Sequence, residues 1–187
     1  LGLIRSYATR HGAGPFVTED EYLTSRLQDH HNGNNPWQRE FRVGYLDFVA
    51  LRYALNVTGK VDGLVVTNLD RMNEVEEWKY CNRYQLSKNP SNVSDYFNLD
   101  NGWIKDIKIP PDPTDLDKQK ALTDLLFSMQ PVYDSCEKDM TNFLELISSI
   151  MKVPIAMTSF SPTALEKNLF DYHLSTLQNA KLFAFQQ

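Results

Sequence analysis

The stretch "GYLDFVALRYALNVTGKVDGLVVTNLD", residues 44–70, decides the fold class. In its first part Leu46, Val49, Tyr53 and Ala54 fall on one face at helical spacing, and Gly59 stands where a helix would stop. From Gly63 the chain becomes a short apolar, β-branched run closed by the polar turn Asn68-Leu69-Asp70. Such a run suits a strand buried on both faces.

Toward the amino terminus, Ile4, Tyr7 and Thr9 predict an opening strand that runs into His11-Gly12-Ala13-Gly14-Pro15, a turn that neither helix nor ladder can hold. A polar loop rich in His, Asn and Gly follows, ending at "HHNGNNPWQREFR". Toward the carboxyl terminus, "EVEEWKYCNRYQL" alternates as a strand at Trp78, Tyr80 and Asn82, and residues 88–113 read as an irregular, Asn-rich surface excursion. Pro113-Thr114 with Asp117 three residues on predicts a helix near 115–129, its apolar set Leu116, Ala121, Leu122, Leu125, Leu126 and Met129, with Pro131 just past its end. A second helix carries Phe143, Leu144, Leu146, Ile147, Ile150 and Met151 on one wide stripe, and "VPIAMTSFS" follows as a strand. Helices alternating with strands at these lengths predict a single α/β domain over residues 1–187, with a mostly parallel sheet flanked by helices.

Composition narrows the function classes. A net charge of −5 argues against a general nucleic-acid or membrane-surface binder while permitting a local basic pocket. No apolar run approaches the roughly 18 residues needed to cross a bilayer. Cys81 and Cys136 have neither metal spacing nor a disulfide framework, which points to a reducing compartment and a cytoplasmic protein. Asn56-Val57-Thr58 and Asn92-Val93-Ser94 fit the glycosylation pattern without a secretory context to use it. The opening "LGLIRSYATR" already reads as a core strand and lacks an initiator Met, so a fragment of a longer polypeptide is expected.

Ligands in parallel sheets bind at the carboxyl ends of strands. Three turns, "TRHGAGP", "TNLD" and "TSFSPT", are expected at equivalent ends. Each alone could simply reverse the chain. The Asp70 carboxylate could accept the paired N1–H and N2–H donors of guanine in a fork, or Asn68 and Asp70 could form an Asx-turn. In "NPWQREFRVG", Arg39 and Arg42 precede a helix, with Trp37 and Phe41 beside them, so that guanidinium groups could hold carboxylate or phosphate. His30-His31 with Asp29 lack a third ligand at metal spacing. Walker A and GxGxxG are both absent.

Three segments together resemble one family. "SYATRHGAGPFVTE" is similar to "YTTRVGAGPFPTE", "RVGYLDFVALRYALNVTGKVDGLVVTNLD" resembles "RTGWLDxVAxRxAxxxNxxxxxxLTKLD", and "VPIAMTSFSPT" is similar to "VPIxxxSTGPxR". These are motifs of the carboxyl-terminal part of adenylosuccinate synthetase, in the same order. The resemblance implies that family's P-loop-like fold and a ligase that joins aspartate to inosine monophosphate (IMP). GTP phosphorylates the 6-oxygen, and the aspartate amine then displaces phosphate. It further implies a guanine-recognition segment at Asn68, Leu69 and Asp70, with Ser159, Phe160 and Ser161 lining the base from the other side. Asn35, Pro36, Trp37, Gln38, Arg39, Glu40 and Phe41 would form the loop that closes over aspartate. Arg39 would contact ribose and carboxylate there, and Phe41 would also border GTP. His11 and Gly12 would touch the monophosphate substrate. A homodimer is implied, and Mg2+, whose ligands belong with the catalytic groups of the family's amino-terminal half, outside this chain. No catalytic or metal-binding residue is therefore expected here, and the fragment alone would be inactive.

Several positions depart from those motifs. Asn68 replaces a lysine whose stem packs on the base. Pro36-Trp37-Gln38 replace threonines and a glycine, Glu40 and Phe41 replace arginines, His11 stands for a valine, and Ser161 for a glycine. These leave the donor open between GTP and ATP, and the acceptor between IMP and a related 6-oxopurine nucleotide such as dGMP. A non-catalytic nucleotide-binding or interaction module on the same scaffold is the alternative.

Overall fold

A computed structural model describes residues 1–29, 32–33, 36–87 and 92–169. The chain opens with β1 (Gly2–Arg5), β2 (Ala8–His11), α1 (Glu21–Arg26), β3 (Phe41–Gly44) and β4 (Leu46–Asp47), followed by α2 (Phe48–Thr58) and β5 (Leu64–Thr67). A 3-10 turn (Leu69–Glu74) leads to β6 (Trp78–Leu86), α3 (Val93–Tyr96), β7 (Phe97–Asp100) and β8 (Trp103–Ile107). The last elements are α4 (Leu116–Phe127), β9 (Met129–Cys136), α5 (Met140–Met151), β10 (Ile155–Ser159) and β11 (Lys167–Leu169).

The fold is α/β, as expected. β5 lies between β1 and β10 and runs parallel to both, with β11 added antiparallel at the far edge. Position decides the character of β5: with a neighbour on each side, Leu64 and Val66 are buried, and Gly63 leaves room for Ala156, whose methyl would lie 2.9 Å from an added Cβ. The helix read from residues 44–59 begins at Phe48, because Asp47 caps it by accepting a hydrogen bond from Ala50 N at 3.0 Å. Gly59 ends it at φ +84°, donating to Leu55 O. Leu46 accordingly belongs to β4, Val49 is fully buried, and Ala54 faces solvent. α5 keeps its predicted stripe: Phe143 and Ile147 are at most 1% exposed, and burying each contributes about 1.5–3 kcal/mol.

Four expectations are corrected. The opening strand is two strands in different sheets, because buried Tyr7 turns the chain between β1 and β2. The loop after Pro15 contains α1, held by the Asp20 cap and by buried Leu23 and Leu27. In β6, Trp78 and Tyr80 pack on the main core as the alternation predicts, but a bulge between Cys81 and Arg83 resets the pleat, so Asn82 leaves the set and Cys81 and Tyr84 are buried together elsewhere. The 88–113 stretch, over its described residues, is no irregular excursion. It forms α3 and the β7–β8 hairpin, burying Val93, Phe97, Ile104 and Ile107 in a second apolar cluster. Arg52 on α2 ties that hairpin down, donating to Asp106 Oδ1 at 2.6 Å and to Lys105 O at 2.5 Å while also holding Asn82.

α4 is capped by Asp115 rather than Thr114, whose hydroxyl donates to Asp112 instead. Met129 and Pro131 belong to β9, which pairs antiparallel with β6 along its whole length. Together with β4, β7 and β8 these strands form a second, mixed sheet behind α2. Among the described residues no helix is long and apolar enough to cross a membrane.

Asp47 ties α2 to the second sheet. Its Oδ2 accepts from Tyr84 Oη at 2.5 Å while Oδ1 caps α2, and burial pushes its carboxyl up to about 6, against the pull of those hydrogen bonds. The folded chain thus takes up this proton more readily than the unfolded one, whose ordinary value is 3.8. The associated stability is present below pH 3.8 and lost as pH rises through about 6. Urea unfolding should show the stability difference between wild type and Asp47→Asn falling by on the order of 2 kcal/mol from pH 4 to pH 7. A pH-independent difference would contradict the assignment. At Gly44 an added Cβ would lie 2.2 Å from Thr18 O, in backbone that has no room to move. Gly44→Ala should cost about 1–3 kcal/mol by the same measurement, whereas Gly33→Ala, with nothing within 4 Å, should cost almost nothing.

Candidate functional site

The carboxyl ends of β1, β5 and β10 share one edge: Arg5 is opposite Thr67, and Thr158 is opposite Val66. Two of the three expected turns leave from this edge, the Asn68 turn after β5 and the Ser159 turn after β10. The third, at His11, follows β2 and reaches the edge from a separate hairpin.

At the β5 exit, Ser6 fixes the turn by donating from N to Thr67 O and from Oγ to Asn68 O, both at 2.9 Å. Asn68 takes a left-handed conformation, φ +60°, which asparagine tolerates better than most residues. It makes no capping bond with its side chain, so the Asx-turn is not formed. Leu69 is fully buried and anchors the turn, which leaves the half-buried Asp70 at the start of the 3-10 helix. Among the described residues nothing donates a hydrogen bond to its carboxylate, while Arg71 beside it is engaged by Glu74 at 2.5 Å and by Gln28 O. A carboxylate with both oxygens available can accept a paired donor edge. Nearby Tyr7 has its phenol pushed up, by burial first and by the Asp29 and Asp70 charges, with Arg71 and Arg5 pulling it down.

At the β10 exit, buried Ser159 donates to Ser161 O at 3.1 Å, and Lys167 Nζ donates to the same oxygen. Ser161 Oγ accepts from Thr163 N at 3.1 Å, closing the turn. Phe160 packs against the main core. Ser159 and Ser161 are therefore the polar members of this turn.

The hairpin brings together residues that are 30 apart in sequence. β2 and β3 pair antiparallel with His11 opposite Phe41, and Gly12 N donates to Glu40 O at 3.2 Å. Gly12 sits at φ +70° with the Gln38 carbonyl 3.4 Å from where a Cβ would stand, so the backbones approach closely because it is glycine. Arg42 is a staple rather than a ligand-binding group: it donates to Gly12 O at 2.6 Å, Gly14 O at 3.0 Å and Glu19 at 2.6 Å. Pro36, Trp37, Gln38, Arg39 and Glu40 lie at the surface, Trp37 94% exposed and Arg39 at φ +58°. Asn35, His30 and His31 lie outside the described residues. No group of three or more His, Cys, Asp or Glu among the described residues could hold a metal ion.

Arg5 links the two halves of the edge. It ends β1 beside the Asn68 turn, and its guanidinium lies 5.7 Å from the centre of the Phe41 ring. The sequence reading passed over it, though it is the one charged residue in an otherwise apolar strand. A cavity of about 600 Å³ lies between the β1–β2 segment, α2 and α4, with Arg5 in its lining. It contains neither Asp70 nor Ser159; its lining is mainly apolar, so the strand-end edge remains the better site on chemical grounds.

Comparisons with known proteins point to one family. The family model for adenylosuccinate synthetase matches residues 1–167. The adenylosuccinate synthetase of Nitrosomonas eutropha is 30% identical over 177 residues, which cover 92% of this chain and 38% of that protein. The one from Aquifex aeolicus is 33% identical over 167 residues, covering 87% and 36%. The solved structure of fully ligated adenylosuccinate synthetase from Plasmodium falciparum shares the fold, with a TM-score of 0.65 at 20% identity over 89% of this chain and 38% of that one. The chain thus spans less than two fifths of the length of these relatives. On the strength of the match over residues 1–167, it belongs to the adenylosuccinate synthetase family.

Proposed function

We propose that this chain is a single domain forming the carboxyl-terminal, nucleotide-reading portion of a cytoplasmic purine-biosynthesis ligase that joins aspartate to IMP at the expense of GTP, giving adenylosuccinate. The observation that carries the reading is the strand-end edge on which an uncommitted Asp70 carboxylate follows β5 and the Ser159–Ser161 turn follows the adjacent parallel strand. Asp70 accepts the guanine N1–H and N2–H donors, and charge strengthens both bonds. Ser159 and Ser161 border the base from β10, and Phe41 borders the same nucleotide. His11 and Gly12 form one wall of the monophosphate pocket. The 35–41 loop closes over aspartate, with Arg39 reaching its carboxylate.

The reaction assigned to the longer protein balances simply. The γ-phosphoryl group of GTP goes to the purine 6-oxygen, the aspartate amine then attacks that carbon, and phosphate leaves with the oxygen. Mg2+ belongs to the phosphate-transfer step, and in this reading its ligands sit with the catalytic groups in the amino-terminal half of the longer protein. The isolated chain binds and does not turn over, and the longer protein acts as a homodimer. A second reading has one observation in its favour. Glu40 and Phe41 stand where the family motif has arginines, which suits a binding module that has lost the chemistry, or a ligase retuned to ATP and dGMP.

An isotope assay on the longer protein separates these readings. With IMP carrying heavy oxygen at its 6-position, aspartate and GTP, the released phosphate should contain the heavy isotope, and release should stop without aspartate. The 187-residue chain alone should release none. Absence of labelled phosphate with GTP and IMP, and of aspartate-dependent phosphate with ATP or dGMP, would leave only the module reading.

A further inference from the structure

Of the three arginines Arg5, Arg42 and Arg71, two are already spent. Arg42 is taken up by Gly12 O, Gly14 O and Glu19, and Arg71 by Glu74 and Gln28 O. Arg5 is different. Its Nη1 is buried and has no hydrogen-bond partner, and its nearest carboxylate oxygen, Asp29 Oδ2, is 4.0 Å away and already accepts from Asn32 Nδ2 at 2.7 Å. A second orphan sits on the same ring. The His11 imidazole packs 4.9 Å from the Phe41 centre, and its Nδ1 is also buried without a partner. Buried polar atoms without partners are uncommon and costly, because each has lost its water. Two of the four such side-chain atoms among the described residues therefore converge on Phe41.

We propose that Arg5 is an oxyanion-anchoring residue of the substrate pocket, its guanidinium held over Phe41 and completed by a carboxylate or phosphate of the bound substrate, with His11 Nδ1 as the neighbouring polar contact. The inference rests on the reading of this edge as the substrate pocket. Phe41 is an apolar platform that orients the planar guanidinium and covers one side of it, so the incoming anion meets a partly desolvated cation. Arg5 ends β1, where the parallel ladder fixes its backbone against Thr67, so the group is held by the sheet rather than by a loop. Phe41, which removes a cation from the motif, thereby supports one supplied from β1.

The anion is either the phosphate of the nucleotide or a carboxylate of the amino acid, and separate probes distinguish them. The Arg5 Nε–H and Phe41 ring resonances of the 187-residue chain would be followed by NMR during titration with inorganic phosphate, IMP and L-aspartate. A saturable shift is expected with at least one probe: phosphate and IMP together identify the phosphate source, aspartate alone the carboxylate. Arg5→Gln should weaken that probe, read at the Phe41 ring, by about tenfold or more, and Arg5→Lys by less, because lysine keeps the charge and loses the fork. Thermal unfolding of both variants checks the fold, and Arg5→Lys against wild type carries the test should the Gln variant not fold. No saturable shift with any probe, or an affinity unchanged in the variants, overturns the proposal. GTP added separately, read at the Asp70 and Ser159 amides, distinguishes the two failures: shifts there with a silent Arg5 sink this inference alone, and silence at both sinks the reading of the edge as well.

Discussion

The structure depends on one register: Arg5 opposite Thr67 in the β1–β5 ladder, continued across β10 by Thr158 opposite Val66. Parallel strands in that register end together, and only then do the Asn68 and Ser159 turns leave the sheet side by side. Ser6 locks the arrangement with two hydrogen bonds into the β5 exit, and Thr67 Oγ1 returns one to Ile4 O at 3.2 Å. A slip by one residue would exchange the faces of β5, putting Val66 outward and Thr67 inward. The core and the candidate site therefore share a single constraint.

Much of that core was legible in the sequence because local signals agreed with tertiary ones. Residues 44–70 combined helical spacing, a glycine stop and a β-branched run, and all three survive in α2 and β5. What was illegible had a physical cause in each case. The bulge at Cys81–Arg83 shifts the pleat within β6, so the buried Cys81 and Tyr84 stand three apart rather than two. Pro131 reads as a helix stop, yet it is accommodated in β9 opposite Tyr84. The Asn-rich segment looks polar because α3 and the β7–β8 hairpin bury few residues of their own and rely on Arg52, from a distant helix, for two hydrogen bonds.

The site divides in the same way. Asn68, Asp70 and the Ser159 turn are local features, and a reader of the sequence can find them. The pairing of His11 with Phe41 joins residues 30 apart across α1, so no local signal in the sequence shows it. Arg42 has the look of a ligand-binding arginine and serves the fold, whereas Arg5 sits inconspicuously in a strand and keeps a buried nitrogen without a hydrogen-bond partner. Charge in the sequence shows how many cations are present; only the hydrogen-bond inventory shows which remain uncommitted.

The central claim is that Asp70 reads a guanine edge. Inosine triphosphate differs from GTP there by the missing 2-amino group, so it offers one donor where GTP offers two. Calorimetric comparison of the two nucleotides on this chain and on its Asp70→Asn variant isolates that bond. The account predicts GTP bound about 10- to 100-fold more tightly than inosine triphosphate by the wild type, the worth of one hydrogen bond to a charged group, and a preference largely abolished in the variant. Equal affinity for the two nucleotides in the wild type, or a preference that survives Asp70→Asn, would contradict it.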